Sequence, residues 1–195
     1  MSIFSSLNRA YERLLAEKQV PTFGFSTEKI GFVISLNPDG TPAGKPRDIR
    51  DTSQKKPIPR MMAVPQPAKR TVGISPNFLW DKTSYVLGIS AGEGKRLDRE
   101  HQAFVDYHQT ALNETQDEGL KALLKFLDLW KAEMFESLGW PEEMKDQNIV
   151  FALKSERLNN IFLHDLPEAR KRWARISEEG DKTNAICLVT GEKGP

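Results

Sequence analysis

Lys69, Arg70, Thr71, Ser75 and Asn77 lie on one short stretch, and each side chain is of a type that bonds phosphate oxygens or base edges. Pro65, Pro67 and Pro76 bracket them, fixing φ and removing backbone donors, so neither a helix nor a central strand runs through. Gly73 allows a positive φ or a close backbone approach to a ligand. Phe78-Leu79-Trp80 then offers an apolar anchor that pins the loop to a core. The chemistry expected is polyanion binding by a stiff, donor-rich loop. An ordinary solvated connector is the plain alternative.

Charge strengthens the polyanion reading. Residues 45–70 carry eight basic side chains against Asp48 and Asp51, in a chain whose formal net charge is only +1. Lys55, Lys56 and Arg60 belong to this basic segment and suit phosphate contacts without sequence information.

Other constellations carry less. Gly88 to Arg96 resembles a phosphate loop, but its spacing puts Ile89 where the first glycine belongs and Arg96 where the Mg²⁺-binding hydroxyl belongs. Nucleotide hydrolysis is therefore not expected, and the segment reads as a flexible basic turn. His101 and His108 stand two helical turns apart, too far to chelate one ion as an i, i+4 pair does. With His164 they read as surface or half-buried residues. Cys187 sits in an apolar run, where a thiol stays protonated. As the only cysteine it forms no intrachain disulfide and builds no cysteine-based zinc site. No catalytic residues, cofactor or metal are expected. Phe78 and the tryptophans have the rings to stack single-stranded bases, but their neighbours place Trp130, Trp140 and Trp173 in a core.

The elements that position these residues follow from periodicity. Ile3, Phe4, Leu7, Tyr11, Leu14 and Leu15 predict an amphipathic helix to about Glu17, with Ser2 as N-cap and Val20-Pro21 as the stop. A strand is expected over Lys29–Leu36, then a turn at Asn37-Pro38-Asp39-Gly40 and a partner near Pro46 to Asp51. Arg60 to Val64 is a third strand, and Thr83 to Gly88 a further strand or buried loop. Helices follow over Leu97–Leu112 and from Asp117 or Gln116 through Trp130. Ile149–Leu153 reads as a strand, Asp165 as the cap of a last helix with Pro167 in its first turn, and Ala185–Thr190 as a final strand. Strands early and helices later predict an α+β fold, an N-terminal antiparallel sheet with helices packed beside it.

At 195 residues and 38% hydrophobic content the chain can fill one moderately large core. It has no run of about 18 apolar residues to span a membrane, and no signal-peptide pattern at Met1 to Ser6. A cytoplasmic location is the default expectation.

Val64-Pro65-Gln66-Pro67, Lys69-Arg70, Gly73-Ile74, Pro76 to Asp81 and Tyr85 to Gly88 together resemble the N-terminal region of the type I-C CRISPR large subunit, the Dvulg-subtype family. Pro21 to Phe25, Asp117 to Leu120, Asn148 to Phe151 and Cys187 to Glu192 extend the resemblance in order along the chain. It implies that residues 1–195 are an N-terminal DNA-sensing domain whose C-terminal helical region is absent. It further implies a non-catalytic subunit of an RNA-guided Cascade complex that recognises the protospacer-adjacent motif on double-stranded target DNA. The implied partners are the guide RNA ribonucleoprotein, the other Cascade subunits (especially the one gripping the 5′ handle) and a recruited helicase-nuclease. The resemblance supports the loop as a whole; on their own chemistry Lys69 and Arg70 are expected to hold phosphates or line a narrow groove, and Ser75 and Asn77 to bond base edges. A contact module for protein and guide RNA is the alternative within the binding class. A divalent-metal nuclease is the alternative outside it.

Overall fold

The computed structural model describes residues 3–17, 19–70, 73–178, 185–186 and 193–194. Thr71, Cys187 and most of the expected Ala185–Thr190 strand fall outside this set; of that strand only β7 (Ala185–Ile186) is described, paired with β8 (Lys193–Gly194).

Gly31 explains the sheet arrangement. The expected Lys29–Leu36 strand divides there into β1 (Phe25–Ile30) and β2 (Phe32–Leu36). A Cβ on Gly31 would lie 2.9 Å from Gln147 Oε1, so the bare backbone lets that segment pass. Gly31 N donates to Asn148 O, and Ile49 N donates to Gly31 O. The chain changes partners at this joint. β1 forms a two-stranded antiparallel ribbon with β4 (Arg60–Pro65). β2 enters a four-stranded sheet ordered β3 (Arg47–Asp48), β2, β6 (Asn148–Leu153), β5 (Trp80–Lys82). The β2–β3 and β5–β6 pairs are antiparallel and β2–β6 is parallel.

Every residue of β2 is buried, because both faces of the sheet are covered, so its sequence is nearly continuously apolar rather than alternating. One face presents Phe32, Ile34 and Phe151 to the helices. These are α3 (Leu97–Ala111), α4 (Glu118–Leu129) and the short α5 (Met134–Ser137). On the other face Val33, Val150 and Trp80 meet Met62 and Val64 of the ribbon, with Phe162. The class is α+β, with antiparallel pairs at the N-terminal end and helices packed beside them.

Several local expectations hold for the stated reason. Asp117 is the N-cap of α4, its Oδ1 accepting from Leu120 N at 3.0 Å. The turn after β2 closes with Gly40 N donating to Asn37 O, and Gly40 has φ +88°. Trp130 and Trp140 are buried and stacked at 4.8 Å, while Trp173 is half-buried against the same core.

Two expectations are corrected. Thr83 to Gly88 is neither strand nor loop at its start but the short helix α2 (Thr83–Val86). Thr83 N donates to Gln147 O, its Oγ1 accepts from Asp146 N at 2.8 Å, and Leu87 N closes the turn on Thr83 O. Asp165 is not the cap of α6 (Pro167–Glu178). It ends the preceding 3₁₀ turn, and its carboxylate accepts from Arg170 at 3.0 Å and from Phe162 N at 3.4 Å.

The amphipathic first helix, α1 (Ile3–Ala16), forms, yet none of its residues is buried; Ile3, Phe4, Leu7 and Tyr11 are exposed. Among the described residues no helix is long and apolar enough to cross a membrane.

Candidate nucleic-acid interface

The loop between β4 and β5 is fastened at three points. At its far end Phe78, Leu79 and Trp80 are all buried, which is the anchoring the sequence predicts. Leu79 has φ +64°, an unusual backbone for a branched side chain, and His108 holds it there. Leu79 N donates to His108 Nε2 at 2.9 Å, while His108 Nδ1 lies 2.8 Å from Phe104 O. With one ring nitrogen accepting, the other carries the hydrogen, so the imidazole is neutral. Burial pushes its pKa down to about 4.

His108 is thus a fully buried loop anchor rather than a surface or half-buried residue, and His164, also buried, stacks on Phe162 at 5.6 Å. Only His101 is half-buried as expected, its Nδ1 3.0 Å from Tyr85 O.

Asp81 supplies the second fastening. It is fully buried in the middle of β5's short ladder, yet its carboxylate accepts from Asn77 N at 2.9 Å, from Lys82 N at 2.8 Å and from the Arg70 guanidinium. Burial pushes this carboxyl above its usual range, and Arg70 and the amides of Asn77 and Lys82 pull it part of the way back. Asn77 makes the third fastening, its Oδ1 accepting from Ala68 N at 3.0 Å.

Of the sequence-predicted contact residues, Asn77 therefore points inward, and Arg70, an exposed residue, is tied down by contacts within the loop. The Asn77 side chain belongs to a residue only 4% exposed. Its Oδ1 is already engaged inside the loop by Ala68 N. Arg70 donates from Nε to Ser75 O at 2.8 Å, pairs with Asp81 and stacks on Tyr85, which leaves its side chain 28% exposed. Both residues brace the loop. Arg70 and Asn77 are polar because they cross-link a loop that has few backbone partners of its own.

Lys69, by contrast, is exposed and makes no hydrogen bond or ion pair among the described residues, and Ser75 is half-buried with its hydroxyl likewise uncommitted. Thr71 lies outside the described residues. Lys55 and Lys56 are exposed on the connection from β3 to β4, and Arg60 is exposed at the first position of β4. That connection is a hairpin: Asp51 and Ile58 exchange backbone hydrogen bonds of 2.8 and 2.9 Å. Residues 52–57 form its tip, so Lys55 and Lys56 project.

Asp81 and Tyr85 carry no role in the sequence reading of this loop. The one signal the sequence offers is an acidic residue directly after an apolar triplet, where a buried carboxylate demands a cationic partner.

A family model described as CRISPR-associated protein (Cas_Csd1) matches residues 7–195. The chain belongs to the Csd1 family of CRISPR-associated proteins. The match runs through the fastened loop, the basic hairpin and the helices that back them, so these features lie within the family's own domain. No curated protein matches the chain. Membership gives this Csd1-family protein a role in CRISPR defence, together with other proteins of that system. Among the described residues no three His, Cys, Asp or Glu side chains gather at one point that would hold a metal ion.

Proposed function

We propose that this Csd1-family chain is the N-terminal, duplex-DNA-sensing part of a type I-C Cascade large subunit, without catalytic activity of its own. The observation that carries the reading is the division of labour in the Pro65–Asp81 loop. Arg70, Asn77 and Asp81 hold the backbone rigid, and Lys69 and the Ser75 hydroxyl are left uncommitted at its surface. A preorganised loop loses little conformational entropy when it enters a groove. Lys69 suits a phosphate, and Ser75 a phosphate or base edge, while Lys55, Lys56 and Arg60 suit phosphates on the same duplex. Guide pairing reads the remaining target sequence, and the protein reads a short motif.

The rival reading is a contact module for guide RNA and neighbouring subunits. Lys69→Ala in the assembled complex separates the two. Weaker duplex binding with normal assembly supports DNA sensing, whereas loss of assembly with duplex affinity unchanged per assembled particle supports the rival. Absence of nuclease activity in the metal-supplemented complex lacking its helicase-nuclease tests the non-catalytic assignment.

A further inference from the structure

Phe23 sits on a turn whose backbone is bonded on every side. Phe25 N donates to Thr22 O at 2.9 Å, and Gly24 O accepts from both Gln66 N at 2.9 Å and Trp173 Nε1 at 2.6 Å. Gly24 has φ +78°, and a Cβ there would lie 3.3 Å from Trp173 Nε1, so glycine suits the close approach of the indole. Phe23 itself is 92% exposed. A lone exposed ring needs no explanation. A ring carried on a rigid turn at the mouth of an apolar cleft is different, because it loses little freedom when it binds.

That cleft has a volume of about 280 Å³, with Phe23, Phe25, Trp173 and Ala174 on its apolar side and Ser177 and Glu178 adding polar groups. Trp173 belongs to a run of nearly parallel rings: His108 stacks on Phe78 at 5.9 Å and 7°, and Phe78 on Trp173 at 5.6 Å and 13°. Phe78 is buried and is not among the residues that line the cleft, so the indole surface turned to the cleft is not the one Phe78 covers. A nucleobase suits both the flat walls, by stacking, and the polar groups, through its edge; an aliphatic side chain suits only the walls. Gln66 lies at the start of the loop that carries Lys69, so Gly24 O joins this turn to the DNA contact proposed above. Resting on that DNA-sensing reading, we propose that the cleft between Phe23 and Trp173 holds one unpaired base of the bound DNA, stacked against their rings. Stacking tolerates any base, so the contact favours locally unpaired DNA without adding sequence information.

The test uses the assembled complex and hairpin-closed duplexes that carry the motif and lack complementarity to the guide. One duplex is fully paired, a set carries a single unpaired adenine at successive positions beside the motif, and a matching set carries an abasic residue instead. Wild type is expected to bind the best-placed unpaired adenine roughly tenfold more tightly than its abasic counterpart or the paired duplex. Phe23→Ala is expected to lose that preference while keeping wild-type affinity for the paired duplex, and Phe23→Tyr to retain it. No preference for adenine over the abasic residue at any position, or an unchanged preference in Phe23→Ala, overturns the base cradle and leaves DNA sensing standing. Failure of the wild-type complex to bind the paired duplex overturns the DNA-sensing reading itself, and the cradle with it.

Discussion

The guanidinium carbon of Arg70 lies 4.1 Å above the ring centroid of Tyr85. The planar group lies over an aromatic face and donates to a buried carboxylate, and its Nε is spent on Ser75 O. Only a flat, forked cation satisfies all three neighbours, so Arg70 and lysine are not equivalent here. Arg70→Lys is expected to loosen the loop, read as faster amide exchange of Ala68 and Asn77 with little change in global unfolding.

Asp81→Ala goes further. It leaves the Asn77 amide without its acceptor and the half-covered guanidinium without its counter-charge. Breaking such a pair from one side costs about 2–4 kcal/mol, measurable as a lower urea midpoint. A change below about 0.5 kcal/mol would mean that the ion pair does not hold the loop.

Acid tests the buried imidazoles. Burial lowers His108 and His164 from 6.5 to about 4, opposed at His108 by its bond to Phe104 and at His164 by the Asp165 charge, while the Arg170 charge lowers His164 further. A histidine depressed in the folded state contributes its full stability above the unfolded pKa. As pH falls from about 6.5 towards 4 the unfolded chain binds the proton first, so stability is lost across that window. At His108 the loss is on the order of 3 kcal/mol at the acid end, since one unit is worth about 1.4 kcal/mol; at His164 it has the same sign. Urea midpoints taken from pH 7 to 4 are expected to fall, and His108→Gln to flatten part of that slope.

Gly40→Ala tests the turn behind β2. With φ +88° and a new Cβ 2.7 Å from Phe126 N and 2.8 Å from Lys125 C, the methyl meets α4 backbone that cannot step aside. The left-handed conformation alone costs about 1–2 kcal/mol, so a loss above about 2 kcal/mol is expected by chemical denaturation.

The legibility of this chain follows the range of each interaction. Asp117 as a cap, the Asn37–Gly40 turn and the strand at Arg60 are readable because their signals sit within a few residues. The parallel pairing of Phe32 with Ile149 is not, since both strands are apolar on every face and nothing local names the partner. The loop itself is legible from its prolines and donors. Which donors face out is invisible, because Arg70 and Lys69 are adjacent cations and only the buried Asp81 distinguishes them. Asn77 looks like a base reader for the same reason: an amide that closes a loop and one that reads a base have the same composition.

The salt dependence of duplex binding by the assembled complex addresses the central claim most directly. Removing Lys55, Lys56 and Lys69 together is expected to make the plot of log affinity against log salt shallower by roughly 2 to 3, about 0.9 for each phosphate no longer neutralised. Asn77→Ala, which only loosens the loop, is expected to leave that slope unchanged. A triple variant with wild-type slope and affinity would contradict the assignment of these lysines to DNA phosphates.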